Sequence, residues 1–147
     1  MAPISLLRLS YKTFPATPLE PFPQRRTVTR PVIDLLVHFN GKSIEYSALI
    51  DSGADYCIFH SDVGEILELD IKSGKKLMFY GTAGSPQHAY FHTIQIEIGG
   101  WPMDLYCGFS YDMQSLPYGL LGQTGFFDMF KVEFDYQNKR IELKPKR

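Results

Sequence analysis

Ala48-Leu49-Ile50-Asp51-Ser52-Gly53-Ala54-Asp55 decides how this 147-residue chain is read. An apolar run ends on a carboxylate, then a hydroxyl, then a glycine. That order suits an acid carried on a rigid strand end and steadied by its own turn. Gly53 allows another backbone to approach closely, because it has no Cβ. By average residue usage, an Asp-[Ser/Thr]-Gly triplet arises by chance on the order of once in ten chains of this length. The triplet alone could therefore be an ordinary turn, and its surroundings must decide.

Upstream, Ile33, Leu35, Val37 and Phe39 alternate with other residues, and so do Ile44, Tyr46, Ala48 and Ile50. Between them stands Asn40-Gly41, the signature of a type I′ hairpin turn. This hairpin delivers Asp51 at the end of a buried strand. Downstream, strands are expected at Leu77–Tyr80, Tyr90–Ile98 and Met103–Phe109, with a turn at Gly99-Gly100. Two glycine-flanked hairpins in a row argue for antiparallel sheet. Tyr118-Gly119-Leu120-Leu121-Gly122 is a second buried run stopped by glycine. A hairpin closes the chain, from Val132–Phe134 through Tyr136-Gln137-Asn138 to Arg140–Leu143. Short helices are expected at Asp62–Leu67, with Asp62 as cap and Glu65 at the third position, and at Gln123–Phe130. Short strands at this spacing read as an all-β sandwich or small barrel.

Five prolines, Pro15, Pro18, Pro21, Pro23 and Pro31, fall within residues 11–31. Proline lacks an N–H and fixes φ, so this stretch reads as an extended arm, neither central strand nor helix interior. Within the arm, Ile4–Leu9 could add a short strand to a sheet edge. The expected division is an arm over 1–31 and a domain over 32–147.

Composition excludes several classes of function. The chain is 44% hydrophobic and 21% charged, which suffices for a core. Fifteen basic residues against 16 acidic give a net charge of −1, so no global field draws it to nucleic acid or an anionic membrane. Arg25-Arg26, with Arg30 nearby, reads as part of a solvated arm. No apolar run approaches the ~20 residues of a membrane span, and Arg8 interrupts the apolar start before it makes a secretory signal. The expectation is a cytoplasmic protein with no membrane and no nucleic-acid partner. Cys57 and Cys107 lie in strand-like sequence and read as reduced core thiols. His88 and His92 are four apart; on a strand that is ~13 Å, too far to share one metal ion. No metal or other cofactor is expected. Trp101 reads as packing.

Taken in order, these residues resemble the retropepsin-like aspartic proteases, over roughly Val32 to Leu143. Ala48 to Asp55 is similar to that family's catalytic turn, with Asp51 as the catalytic aspartate and Ser52, Gly53, Ala54 and Asp55 in support. Gly81-Thr82-Ala83-Gly84 resembles the tip of its flap. Leu120-Leu121-Gly122 resembles its second hydrophobic-hydrophobic-glycine element. In viral members the next residue is typically an arginine that pairs with the acid equivalent to Asp55; here it is the uncharged Gln123.

The resemblance implies a small closed all-β barrel with a flap hairpin and one or two short helices. It also implies hydrolysis of peptide bonds by two aspartates. Such a pair shares one proton, because like charges a few ångströms apart do not both ionise. The chain carries one Asp-Ser-Gly and is too short for a two-lobed enzyme, so the second aspartate implies a homodimer acting on a peptide or protein substrate. Two other readings stand beside it. One is a peptide-binding or dimerisation module on the same fold without proteolysis. The other is a monomeric β domain whose Asp51 only caps a turn.

Overall fold

Asn40 and Gly41 both adopt left-handed backbone, at φ 51° and 80°, and so fold the chain into the expected hairpin. The computed structural model describes residues 6–80 and 84–146. Its strands, in chain order, are β1 (Leu7–Ser10), β2 (Lys12–Pro15), β3 (Thr27–Arg30), β4 (Val32–Phe39), β5 (Lys42–Ile50) and β6 (Ile58–His60). After helix α1 (Ser61–Ile66) come β7 (Lys75–Tyr80), β8 (Pro86–Ile98), β9 (Trp101–Ser110), β10 (Gly119–Leu121), β11 (Phe130–Asp135) and β12 (Arg140–Pro145).

The main sheet runs β4-β5-β10-β6-β9-β8-β7. β8 also pairs back onto β4, with Val37 opposite Ile96, so six of the strands close into a ring. Closure removes the exposed strand edges that an open sheet would leave. The sheet is not wholly antiparallel as its hairpins imply. β10 lies parallel to β5, and β6 lies parallel to β9. Hairpin signals report only neighbours in sequence; β10 reaches β5 from almost 70 residues away.

Alternation fills the ring. Val37, Phe59, Ile96, Phe109 and Leu121 are fully buried in one core, joined by Phe126, Ile141 and Leu143. Burying each such side chain contributes about 1.5–3 kcal/mol. Phe59 meets Tyr46 and Phe109 edge-on, with centroids 4.9 and 6.1 Å apart. Trp101 packs on Phe130 at 5.3 Å.

The chain ends form a second sheet, β1-β12-β11, and Leu7 joins the core. The edge strand expected over Ile4–Leu9 thus sits at Leu7–Ser10, and Ile4 and Ser5 lie outside the described residues. In the proline-rich stretch, β2 and β3 form a two-stranded ribbon, with Pro15 at its end.

Two helix expectations are corrected. α1 begins at Ser61 with His60 as N-cap, and no side chain caps it; Asp62 lies within its first turn. The segment 123–130 is a chain of turns, not a helix. Phe127 and Asp128 donate to carbonyls five residues back, and Met129 to one three back. Gly125, at φ 108°, breaks helical backbone in the middle, and its N–H donates to the Asp128 carboxylate.

Candidate active site

Position comes first. β10 inserts between β5, which leads into the Asp51 turn, and β6, which leaves it: Leu121 lies opposite Ile50, and Leu120 opposite Ile58. The turn is therefore held from both sides by one central strand. The Asp51 N–H donates to Leu121 O at 3.0 Å, and Ile50 N–H donates to Pro31 O at 2.9 Å.

The turn then closes on itself. Ala54 N–H donates to Asp51 O at 3.1 Å, and Gly53 N–H donates to Asp51 Oδ1 at 2.9 Å. This hydrogen bond fixes one carboxylate oxygen, and among the described residues no hydrogen bond holds the other. Asp51 is half-buried, as is Ala54, while Ser52, Gly53 and Asp55 are exposed. Within the described residues, Asp55 forms no ion pair and the Ser52 hydroxyl finds no hydrogen-bond partner.

Gly122 brings the second element against the first. A Cβ there would lie 2.4 Å from Tyr56 O and 2.6 Å from Ala54 O, so only glycine fits. Beyond it, Gln123 N–H donates to Ala54 O and Thr124 N–H to Asp55 O, at 2.8 and 2.9 Å. The Gln123 side chain donates from Nε2 to Ser52 O at 2.6 Å. Gln123 thus contacts the turn's backbone rather than the Asp55 carboxylate.

Cys57 lies beneath this junction. Its sulfur accepts from Gly122 N–H at 3.4 Å and donates to Thr124 O at 3.5 Å. Burial pushes its thiol up to about 12, and burial likewise holds the Cys107 thiol well above its usual range. Both cysteines are free and buried, as expected of core thiols. The part Cys57 plays in joining the two elements was not visible in sequence, because its partner is 65 residues away.

β7 and β8 form a hairpin where the flap is expected, with Tyr80 opposite Pro86. Of its tip, Gly81, Thr82 and Ala83 lie outside the described residues; Gly84 has φ 77° and open space around its α-carbon. Ile58 of β6, Ala89 of β8 and Met113, which follows β9, form a small apolar cluster, against which Tyr56, Phe79, Phe91 and Leu120 pack half-buried. Two grooves of about 500 and 450 Å³ lie elsewhere, one walled by Asp34, Tyr46 and Pro117, the other by His38, Lys42 and Gln95. Asp51 lines neither.

The histidines serve other contacts. His92 Nε2 lies 2.8 Å from Ile71 O, and His88 pairs with Asp112 at 3.6 Å. His60 joins a network that sequence reading missed: its Nδ1 is 2.5 Å from the Tyr46 hydroxyl and its Nε2 2.7 Å from Leu116 O.

A family model described as aspartyl protease matches residues 35–124, more than half of the chain. Among solved structures, the chain is similar to a retropepsin-like aspartic protease from Rickettsia conorii, with a TM-score of 0.60 at 16% identity, covering 96% of this chain and 100% of that one. It is also similar to the EIAV protease solved with the inhibitor HBY-793, with a TM-score of 0.48 at 18% identity, covering 64% of this chain and 82% of that one. No curated protein matches the sequence. With the family match spanning both glycine-bearing elements, the chain belongs to the aspartyl protease family, on a retropepsin-like all-β fold.

Proposed function

We propose that this protein is an aspartic endopeptidase assembled as a homodimer, with Asp51 of each copy forming the catalytic pair. The observation that carries the proposal is a single Asp-Ser-Gly turn whose carboxylate is half-buried, fixed by Gly53 N–H and anchored to β10. One such turn per chain supplies half of the carboxylate chemistry, and a two-fold axis beside Asp51 supplies the rest. The exposed Ser52 hydroxyl is suited to orient the paired turns from across that axis.

In the proposed reaction the two carboxyls share one proton. The ionised Asp51 takes a proton from a water, whose oxygen bonds to the peptide carbonyl carbon. The protonated Asp51 gives its proton to the carbonyl oxygen, leaving a tetrahedral diol. The Asp51 that took the water's proton then gives it to the nitrogen while the other Asp51 takes a proton from the diol, so that the C–N bond breaks, an acid and an amine leave, and the shared-proton pair is restored. The Gly53 carbonyl accepts from the substrate backbone, and the flap tip, Gly81 to Gly84, covers the substrate.

The test is cleavage of an unfolded protein at pH ~4–6, where a shared-proton pair is half-protonated. The wild-type chain cleaves it, and Asp51→Asn abolishes cleavage while keeping the fold. Undiminished cleavage by the variant overturns the assignment. Peptide binding without any cleavage by the wild type favours a non-proteolytic module instead.

A further inference from the structure

We infer that Gln123 is a positioning residue for the Asp51 turn, acting as a hydrogen-bond donor within its own chain. The inference rests on the proposal that Asp51 is the catalytic carboxylate.

Gln123 grips the turn twice. Its backbone N–H donates to Ala54 O at 2.8 Å, and its side-chain Nε2 donates to Ser52 O at 2.6 Å. Ser52 O is a carbonyl and can only accept, so the amide must present its nitrogen there. Between these two gripped carbonyls lies Gly53, whose N–H holds Asp51 Oδ1. Gly53 has no side chain to fix its own backbone. The peptide joining Ser52 to Gly53 contains both the Ser52 carbonyl and the Gly53 N–H. Fixing the carbonyl fixes the direction of that N–H, and with it the Asp51 oxygen. A neutral amide does this without an arginine–carboxylate pair, which leaves the Asp55 carboxylate exposed and outside the clamp.

The consequence is specific to a donor. Gln123→Ala removes it. Gln123→Glu keeps the size and donates only while protonated, so it turns the clamp into a pH-dependent one. The charged groups on the two segments, Asp51, Asp55 and Asp128, are all carboxylates and disfavour a further negative charge, while the Lys146 ammonium packed on the second segment is bonded to Phe127 O, four residues beyond position 123. Protonation therefore extends into the working range of the enzyme.

The experiment measures kcat and KM for wild type, Gln123→Ala and Gln123→Glu from about pH 4 to 6.5, each variant as a ratio to wild type at the same pH. Thermal unfolding is followed in parallel. For Gln123→Ala we expect kcat lower by about fivefold, with a ratio independent of pH, and KM little changed. For Gln123→Glu the ratio is nearest unity at the acid end, where the carboxyl donates. It falls at least about fivefold by pH 6.5. A pH-independent ratio for Gln123→Glu, or wild-type kcat in Gln123→Ala, overturns the inference. If the wild type cleaves nothing, the peptidase proposal fails, and the clamp is judged from the melts. A Tm gap between Gln123→Glu and wild type that widens with pH supports it, and a constant gap overturns it.

Discussion

Asp51 and Leu121 are joined through the main chain, the N–H of the first donating to the carbonyl of the second at 3.0 Å. Seventy residues separate them in sequence. The bond extends the parallel β5–β10 ladder by one step, past Ile50 and Leu121, into the turn itself. The carboxylate therefore inherits the rigidity of a central strand, although it sits on an exposed loop. In the proposed reaction, pre-positioning of this kind would spare reorganisation when charge develops.

Gly122→Ala tests how tightly the two elements must meet. The new methyl would press on Tyr56 O and Ala54 O at 2.4 and 2.6 Å, both backbone atoms that cannot swing aside. A loss of about 3 kcal/mol is expected from overpacking, with a drop in activity per folded molecule because the turn shifts. Gly100→Ala is the control. It sits at φ 81° with open space around it, so it costs about 1–2 kcal/mol through backbone strain alone and leaves activity per folded molecule unchanged. Urea unfolding and active-site titration separate the two. Equal activity in both variants would show that the junction tolerates displacement.

A pair built from two chains makes activity depend on assembly. Below the dimer dissociation constant, the cleavage rate should rise with the square of protein concentration; above it, linearly. Ser52→Ala should move the crossover to higher concentration, since the exposed hydroxyl faces no partner within the described part of its own chain. Initial rates over a dilution series, beside sedimentation at the same concentrations, provide the check. A rate linear down to full dissociation would mean that one chain suffices, and the paired-Asp51 mechanism would be lost.

Much of this architecture is legible in the residues, and what is not has a physical cause. The Asn40-Gly41 hairpin and the Ile33–Phe39 and Ile44–Ile50 alternation are local, so they read directly. The turn chemistry of Asp51-Ser52-Gly53 is local too, and Gly53 N–H does hold Asp51 Oδ1. By contrast, the parallel placement of β10 between β5 and β6 depends on contacts across the whole chain. The 123–130 segment shows helical apolar spacing at Phe126, Phe127 and Phe130, yet Gly125 in left-handed backbone and the Asp128 side chain favour turns. The clamp by Gln123 was likewise hidden. Its position in the motif shows only that it lacks a charge; the fold shows that its partner is the Ser52 carbonyl rather than Asp55.

Tyr46→Phe should destabilise the fold by about 2 kcal/mol in urea unfolding. Leu116 O only accepts, so His60 Nε2 donates to it, and in the neutral ring Nδ1 then accepts from the Tyr46 hydroxyl. That hydroxyl in turn accepts from His60 N–H at 3.1 Å. Removing it leaves two partly buried groups unpaired, and unmade bonds of this kind cost about 1–3 kcal/mol. An unchanged unfolding midpoint would show that water replaces the hydroxyl.

Alkaline unfolding tests the buried thiol beneath the turn. Burial raises the Cys57 thiol from 9.0 to about 12, so the native state keeps a proton that the unfolded chain gives up first. The stabilisation is complete below pH 9 and is lost as pH climbs from there towards about 12, because only the unfolded state releases its proton in that window. Each such group contributes a slope of about −1.4 kcal/mol per pH unit. Cys107 and Tyr46, both raised chiefly by burial, act in the same direction, with the tyrosine entering above its usual value of 10.0. Stability measured by urea at pH 8, 9.5 and 10.5 should therefore fall increasingly steeply. Cys57→Ser lacks the titrating thiol and should show a slope shallower by about one proton between pH 9.5 and 10.5. It should also be less stable at pH 8, since the smaller hydroxyl fills the space between Gly122 and Thr124 less well. An identical slope in the variant would mean that the thiol titrates alike in both states and that the Gly122–Cys57 junction opens readily to solvent.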